Sequence, residues 1–337
     1  IINNLRPKWG DESKIELKFV RKIGGVETQD ENYVFYRPFD MVQDKEGCKY
    51  VLTGGGEFCI RKFDPDWKYI KRFGSRGEGP GEVLRTYGCA IDSQSNLHIV
   101  SIENRRLVIL GPDGELKGNW TMPGHSHYAA VLSSGRTILT ARSFQALDNE
   151  IIGVENSTML AIVDSEGEII KRFSKCKTFN EFSLMYVANN VFFDVDDRDN
   201  IYVTFQNQNR IEKYSSDGTP IFSVRRPLKY EIKHGTIFKD GFHWPRMTFV
   251  SQGIRVDDVG RLWVTTYEAQ PESQSTGGAV LRNREWFKFE IYDKQGVLLG
   301  RIPTPVEFSK TRIYGSTLYL IDPYFEACVY EYRIVEK

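Results

Sequence analysis

The chain has 337 residues, with 45 Lys and Arg against 45 Asp and Glu, 40% hydrophobic residues and 27% charged ones. That apolar content excludes a disordered chain, and a formal net charge of zero removes the general attraction that drives nucleic-acid or acidic-membrane binding. No apolar run approaches the roughly 20 residues of a membrane helix, so no transmembrane segment is expected.

The cysteines Cys48, Cys59, Cys89, Cys176 and Cys328 are scattered without a CxxC pair, which gives neither metal-ligand spacing nor a full disulfide framework. Cys48, Cys89 and Cys328 sit in β-patterned stretches and read as buried thiols; a single bridge stays open. The first residue is Ile1 rather than Met, as expected of a chain that has lost an export signal or been cut at a boundary.

In chain order, an N-terminal extension over 1–16 leads to an alternating stretch over 17–24, a strand with no partner nearby. From 33 to 337 one unit recurs: strand, Asp-x-x-Gly or Asp-x-x-Asn turn, strand, loop, strand, acidic-Gly turn, strand. Its first copy runs through Asp40, Asp44, Gly47 and 50–52 to 60–64, and its second through 89–92, Asn96 and 97–100 to Asp113-Gly114. The third uses 129–132, Gly135, 137–139 and 160–164. The fourth is the clearest: 191–195, Asp196 to Asn200, 201–204, Asn209 to Tyr214, Asp217-Gly218 and 220–224. The fifth uses 253–257, Gly260, 262–264, 287–292 and Gln295-Gly296. The sixth, 312–314, 317–321 and 328–332, ends one strand short. Six copies of roughly 50–55 residues fit four-stranded propeller blades. The expectation is an all-β, six-bladed propeller forming one domain over 1–337. Its ring is closed by residues 17–24 beside 328–332, because closure removes exposed strand edges.

The segment Ile70-Lys71-Arg72-Phe73-Gly74 with its Gly- and Pro-rich continuation to Glu82 resembles the blade junction of NHL-repeat propellers. Asn209-Arg210-Ile211-Glu212-Lys213-Tyr214, continuing to Asp217-Gly218, matches the second half of that repeat. More narrowly, the chain resembles the six-bladed propellers exported by gut anaerobic bacteria, often as lipid-anchored proteins. The resemblance implies an extracytoplasmic location and brings no common activity with it.

In such a ring the Asp-turn hairpins fall on one face, the bottom, and read as turns whose carboxylates bond the local backbone. The loops between second and third strands, and the blade connections, fall on the top. The long segments 141–157, 225–250 and 268–284 all lie on that face, where binding surfaces are built. The candidate ligand-binding residues there are Arg85, Tyr87, Glu103, His125, His127, Arg142, Asn207, Arg246, Tyr267 and Tyr324, with Arg105, Asn209 and Glu326 nearby. Aromatic, Arg and Asn side chains together suit a saccharide or peptide surface.

His125-Ser126-His127 places two imidazoles on one side of an extended strand, but no third ligand accompanies them. No metal is assigned, His125 and His127 being its ligands if there is one. No cofactor is expected either, although backbone carbonyls and Asn side chains leave room for a structural calcium ion. His98 reads as a packed strand residue, and His234 and His243 accompany the aromatic-basic cluster at Trp244-Pro245-Arg246. The glycines at 54–56 and 77–81 follow no strand into a helix, so dinucleotide and P-loop readings fail. The leading expectation is a non-catalytic binding or scaffold module for a peptide, glycan or protein partner. The alternative is a metal-dependent lactonase- or lyase-like enzyme, for which Asp40 and Asn189-Asn190 offer an incomplete ligand ring. RNA binding would rest on Arg225-Arg226-Pro227-Leu228-Lys229, expected to be a solvated charge run.

Overall fold

The computed structural model describes residues 6–54, 58–124, 126–143, 145–147, 150–152, 156–239, 242–270 and 284–337. Among them lie six four-stranded antiparallel sheets, each running outward from an inner strand. The inner strands are Pro38–Gln43, Cys89–Ile91, Ala129–Val131, Val191–Val195, Ser251–Val256 and Lys310–Tyr314. Each touches the next, and the sixth touches the first, so the ring is closed. The all-β, six-bladed propeller expected from the repeat is the observed fold.

Each Asp turn is built as the sequence implies. Asp92 Oδ1 accepts from the backbone N–H of Gln94 and Asn96, and Asp196 Oδ1 does the same for Arg198 and Asn200. Asp257 Oδ1 accepts from Arg261 N at 2.8 Å. These side chains supply acceptors that the two-strand ladder leaves out at its end.

Second strands such as Lys49–Thr53, Leu97–Ser101 and Ile201–Phe205 are buried along their whole length, while the outermost strands alternate toward solvent. Apolar side chains collect in six clusters, one at each blade boundary. Between blades 3 and 4, for example, Ile138, Leu160 and Phe173 meet Phe193, Val203 and Tyr214. Burial of such side chains stabilises by about 1.5–3 kcal/mol each, so the core is a ring of seams with a polar channel inside it.

The sixth blade is completed by Ile15–Gly24, which starts two residues before the expected 17–24. It pairs antiparallel with Cys328–Glu336, from Ile15 opposite Glu336 to Gly24 opposite Cys328. Ahead of it, Lys8 N and Trp9 N donate to Leu298 O and Leu299 O, so the extension reaches onto the outer strand of blade 5.

The bottom turns are short and the top carries the additions. Residues 145–147 and 150–152 form a two-stranded hairpin inside the long loop of blade 3. His234–Lys239 pairs with Phe242–Met247 in the connection between blades 4 and 5. Among the described residues one α-helix, Phe182–Ala188, enters blade 4. Asn189 holds its end, with Nδ2 donating to Met185 O and Lys177 O, and Oδ1 accepting from Lys177 N, each at 2.8 Å. Seven residues show no helical period that a sequence reading can detect.

Candidate functional site: the top face and the channel beneath it

The inner strands begin at the top, so side chains at their first positions and on the preceding connections surround the channel mouth. On the connection into blade 2, the Arg85 guanidinium lies 5.0 Å from the centre of the Tyr87 ring and donates to its hydroxyl. The Tyr87 ring meets the edge of His127 at 5.6 Å. His127 in turn lines a hollow of about 120 Å³ with Tyr128, Thr140, Arg142, Asn190 and Gln206. Its backbone is fixed by a bond from His127 N to Thr140 Oγ1 at 2.7 Å.

Arg142 stacks 3.9 Å from the centre of the Tyr186 ring on the helix and donates to Asn190 Oδ1. Burial pushes its pKa down, without displacing an arginine from the cationic state at ordinary pH. Asn190 Nδ2 donates to Gln206 Oε1 at 2.9 Å. Four of the expected residues, Arg85, Tyr87, His127 and Arg142, thus stand in one sector of the mouth. Tyr128, Tyr186, Asn190 and Gln206 join them. Their signal in the sequence was weak, because the second-strand end and the helix that supply Gln206 and Tyr186 are adjacent only in the ring.

The other candidates are placed differently. Asn207 is fully buried, with Nδ2 donating to Thr248 O at 3.0 Å, so its side chain anchors the connection between blades 4 and 5. Tyr267 lines the channel cavity and packs between Phe249 and Phe287. Glu103 and Tyr324 stand exposed on two further loops, Tyr324 beneath the Arg37 guanidinium at 5.3 Å, and Arg246 stands exposed on the strand Phe242–Met247. His125 lies outside the described residues, as do 55–57 and 271–283. His98 is buried against Asp92 Oδ2 at 3.2 Å. His234 bonds Asn207 O at 2.9 Å and packs on Phe179. All five cysteines are free thiols.

The run at 225–229 corrects a sequence expectation. Arg226 is fully buried, with Nε and Nη2 donating to Glu290 Oε2 at 3.1 and 2.7 Å. The balanced net charge made the segment read as a solvated run, and Arg225 is exposed. A carboxylate 64 positions away on the third strand of blade 5, invisible to a linear reading, draws one of its two arginines inside.

Beneath the mouth is a cavity of about 370 Å³ lined from all six blades. The charged groups lining it are Asp194, Arg255, Lys310 and Arg312, and Asp40 stands behind the last two. Asp40 is fully buried and accepts five hydrogen bonds. Arg312 reaches it through both Nε and Nη2, Lys310 at 2.7 Å, and the backbone N–H groups of Met41 and Cys89 complete the set. Burial raises the Asp40 pKa, but Arg312 and Lys310 outweigh burial and hold the carboxyl well below its usual range. Burial pushes Lys310 down to about 8, Asp40 offsetting only part of the effect. A carboxylate so engaged has no lone pair left for a metal or for proton transfer. Among the described residues no three His, Cys, Asp or Glu side chains converge as metal ligands do.

No protein-family model matches the chain, and no curated protein matches it. Among solved structures it is similar to a member of the DUF4221 family from Bacteroides vulgatus, with a TM-score of 0.65 and 14% identity, covering 96% of this chain and 99% of the other. It is similar to a candidate exported protein of Bacteroides fragilis, with a TM-score of 0.62 and 11% identity over the full length of both. It is also similar to the virginiamycin B lyase of Staphylococcus aureus, with a TM-score of 0.52 and 10% identity, covering 95% of this chain and 100% of the other. At these identities the likeness is one of fold.

Proposed function

We propose that the protein is an extracytoplasmic, non-catalytic binding module whose top face holds a peptide, glycan or protein partner. The observation that carries this reading is the hollow lined by His127, Tyr128, Arg142, Asn190 and Gln206, where aromatic faces and fixed polar groups stand together on the face that carries the blade 3 hairpin, the helix and the hairpin before blade 5. Stacking surfaces with a few oriented donors and acceptors recognise sugars and peptides by contact and need no reacting group. Asp40 supports binding over catalysis, since its oxygens are all taken by Arg312, Lys310 and the backbone. The extracytoplasmic placement is supported by the candidate exported protein to which the fold is similar.

The test is to screen the purified protein against a glycan array and a displayed peptide library, in parallel with an Arg142→Ala, Gln206→Ala double variant. Binders that the wild type retains and the folded double variant loses support the reading. Binders equally retained by both, or displaced by changes in the bottom turns, overturn it.

A further inference from the structure

The ionic groups of the channel do not sum to zero. Lys310 and Arg312 alternate along one inner strand and so face the same side. Arg255, from the adjacent blade, joins them by donating through Nε to Thr311 O at 2.6 Å. Against these three cations stand two carboxylates, Asp40 and Asp194. Asp40 is saturated by Lys310 and Arg312. Asp194 Oδ2 accepts from Val256 N at 3.0 Å.

Arg255 is left without a carboxylate at ion-pair distance among the described residues; its remaining hydrogen bonds go through Nη1 to Ile254 O and Phe193 O. Its Nη2 makes no hydrogen bond among the described residues, and the residue borders the cavity. Burial and the neighbouring Arg312 push the Arg255 pKa down, and Asp194 and Asp40, beyond ion-pair distance, offset only part of that shift.

We propose that the channel cavity binds a small organic molecule carrying a single carboxylate, with Arg255 as its principal partner and Arg312 and Lys310 setting the surrounding field. One net positive charge calls for a monoanion. The planar guanidinium matches the two oxygens of a carboxylate better than it matches a halide. A volume of about 370 Å³ falls in the range of small-ligand sites, and Tyr128, Phe192 and Phe308 give the rest of the molecule apolar and aromatic walls. The site lies below the mouth and shares Tyr128 with the top-face hollow, but Arg255, Arg312 and Lys310 take no part in that hollow, so it stands whether or not the top-face reading does.

The experiment follows thermal unfolding of the full chain at neutral pH with benzoate, acetate, chloride or inorganic phosphate added at matched ionic strength. Benzoate and acetate are expected to raise the melting temperature of the wild type in a saturable way, benzoate more than acetate, and chloride and phosphate not to. Arg255→Met is expected to abolish that rise. Removing an uncompensated cation should leave the unliganded variant at least as stable as the wild type. Lys310→Met, which brings the channel charge to zero, is the second variant. It should weaken the carboxylate effect at least tenfold in midpoint concentration, which keeps the test decisive if Arg255→Met fails to fold. No saturable carboxylate effect, an equal effect of phosphate, or an effect that survives both variants would overturn the proposal.

Discussion

Arg226 and Glu290, 64 positions apart in sequence, form a fully desolvated ion pair 2.7 Å long between the connection leaving blade 4 and the third strand of blade 5. The pair has further partners on both sides: Arg226 also donates to Ser251 and Thr266, and Glu290 accepts from Tyr292 and Arg301. Removing one partner strands a buried charge. Arg226→Ala or Glu290→Ala is therefore expected to cost about 3–5 kcal/mol in urea unfolding, whereas an Arg226→Met, Glu290→Leu double replacement should cost far less than the sum. Additive losses would show that the two side chains act separately.

Asp40 gives a prediction about pH. Its folded pKa lies below the ordinary 3.8, so its contribution to stability is complete above about pH 4 and is lost as the pH falls through the folded value. Lys310 shifts in the same direction, in its own range. Its pKa falls from 10.5 to about 8, so between those values the unfolded chain binds the extra proton and stability rises with pH. Asp40→Asn leaves Lys310 and Arg312 facing each other without a counter-charge and should cost about 3–5 kcal/mol at neutral pH. The variant should also lose part of the acid limb and start the Lys310 rise below pH 8, since Asp40 no longer holds that pKa up. A stability–pH curve parallel to the wild type's would refute the assignment.

Two bottom glycines separate backbone strain from crowding. Gly260 and Gly296 share a positive φ, 82° and 81°. A Cβ on Gly260 would meet only Lys294 Cβ at 3.9 Å, but on Gly296 it would stand 2.4 Å from Val224 Cγ2 in the neighbouring blade. Gly260→Ala should cost about 1 kcal/mol, and Gly296→Ala about 1–3 kcal/mol more through overpacking of the seam. Equal losses in denaturant titrations would mean that the seam near Val224 yields freely.

The architecture was legible because the repeat is written in local chemistry. Asp92, Asp196 and Asp257 each bond backbone groups within four residues, and turns of that kind announce themselves wherever they stand. The orphan strand at 17–24 and the missing strand of the sixth copy likewise required only counting. The site was much less legible. Arg226 finds Glu290, and Asp40 finds Lys310 and Arg312 some 270 positions away, through ring adjacency that no linear window contains. Asn207 looked like a surface side chain because it sits on a top loop, yet the hairpin that follows folds over and buries it. Beside Asp40, the alternation Lys310-x-Arg312 was the local signal of a charged channel, and it fell in the thinnest copy of the repeat.

Removing residues 1–24 is expected to leave Cys328–Glu336 as an open edge and to uncover part of the apolar seam that Ile15 and Ile23 close. The shortened chain should aggregate or lose cooperative unfolding. A soluble monomer with an unchanged denaturant midpoint would show that the ring does not need this strand.

Closure of the ring between distant parts of the chain also sets an order of events. Lys22 and Glu326, paired at 3.1 Å beside the last rungs, are 304 positions apart. During synthesis the strand Ile15–Gly24 emerges first and its partner Cys328–Glu336 last, so five blades can assemble while the earliest strand waits unpaired. Contacts of such sequence separation form late and slowly, and a waiting strand is open to the wrong neighbour. Glu16, Lys18, Arg21 and Lys22 place charge along much of its length. The same side chains that face solvent in the finished ring therefore guard the strand against premature pairing until the sixth blade exists to receive it.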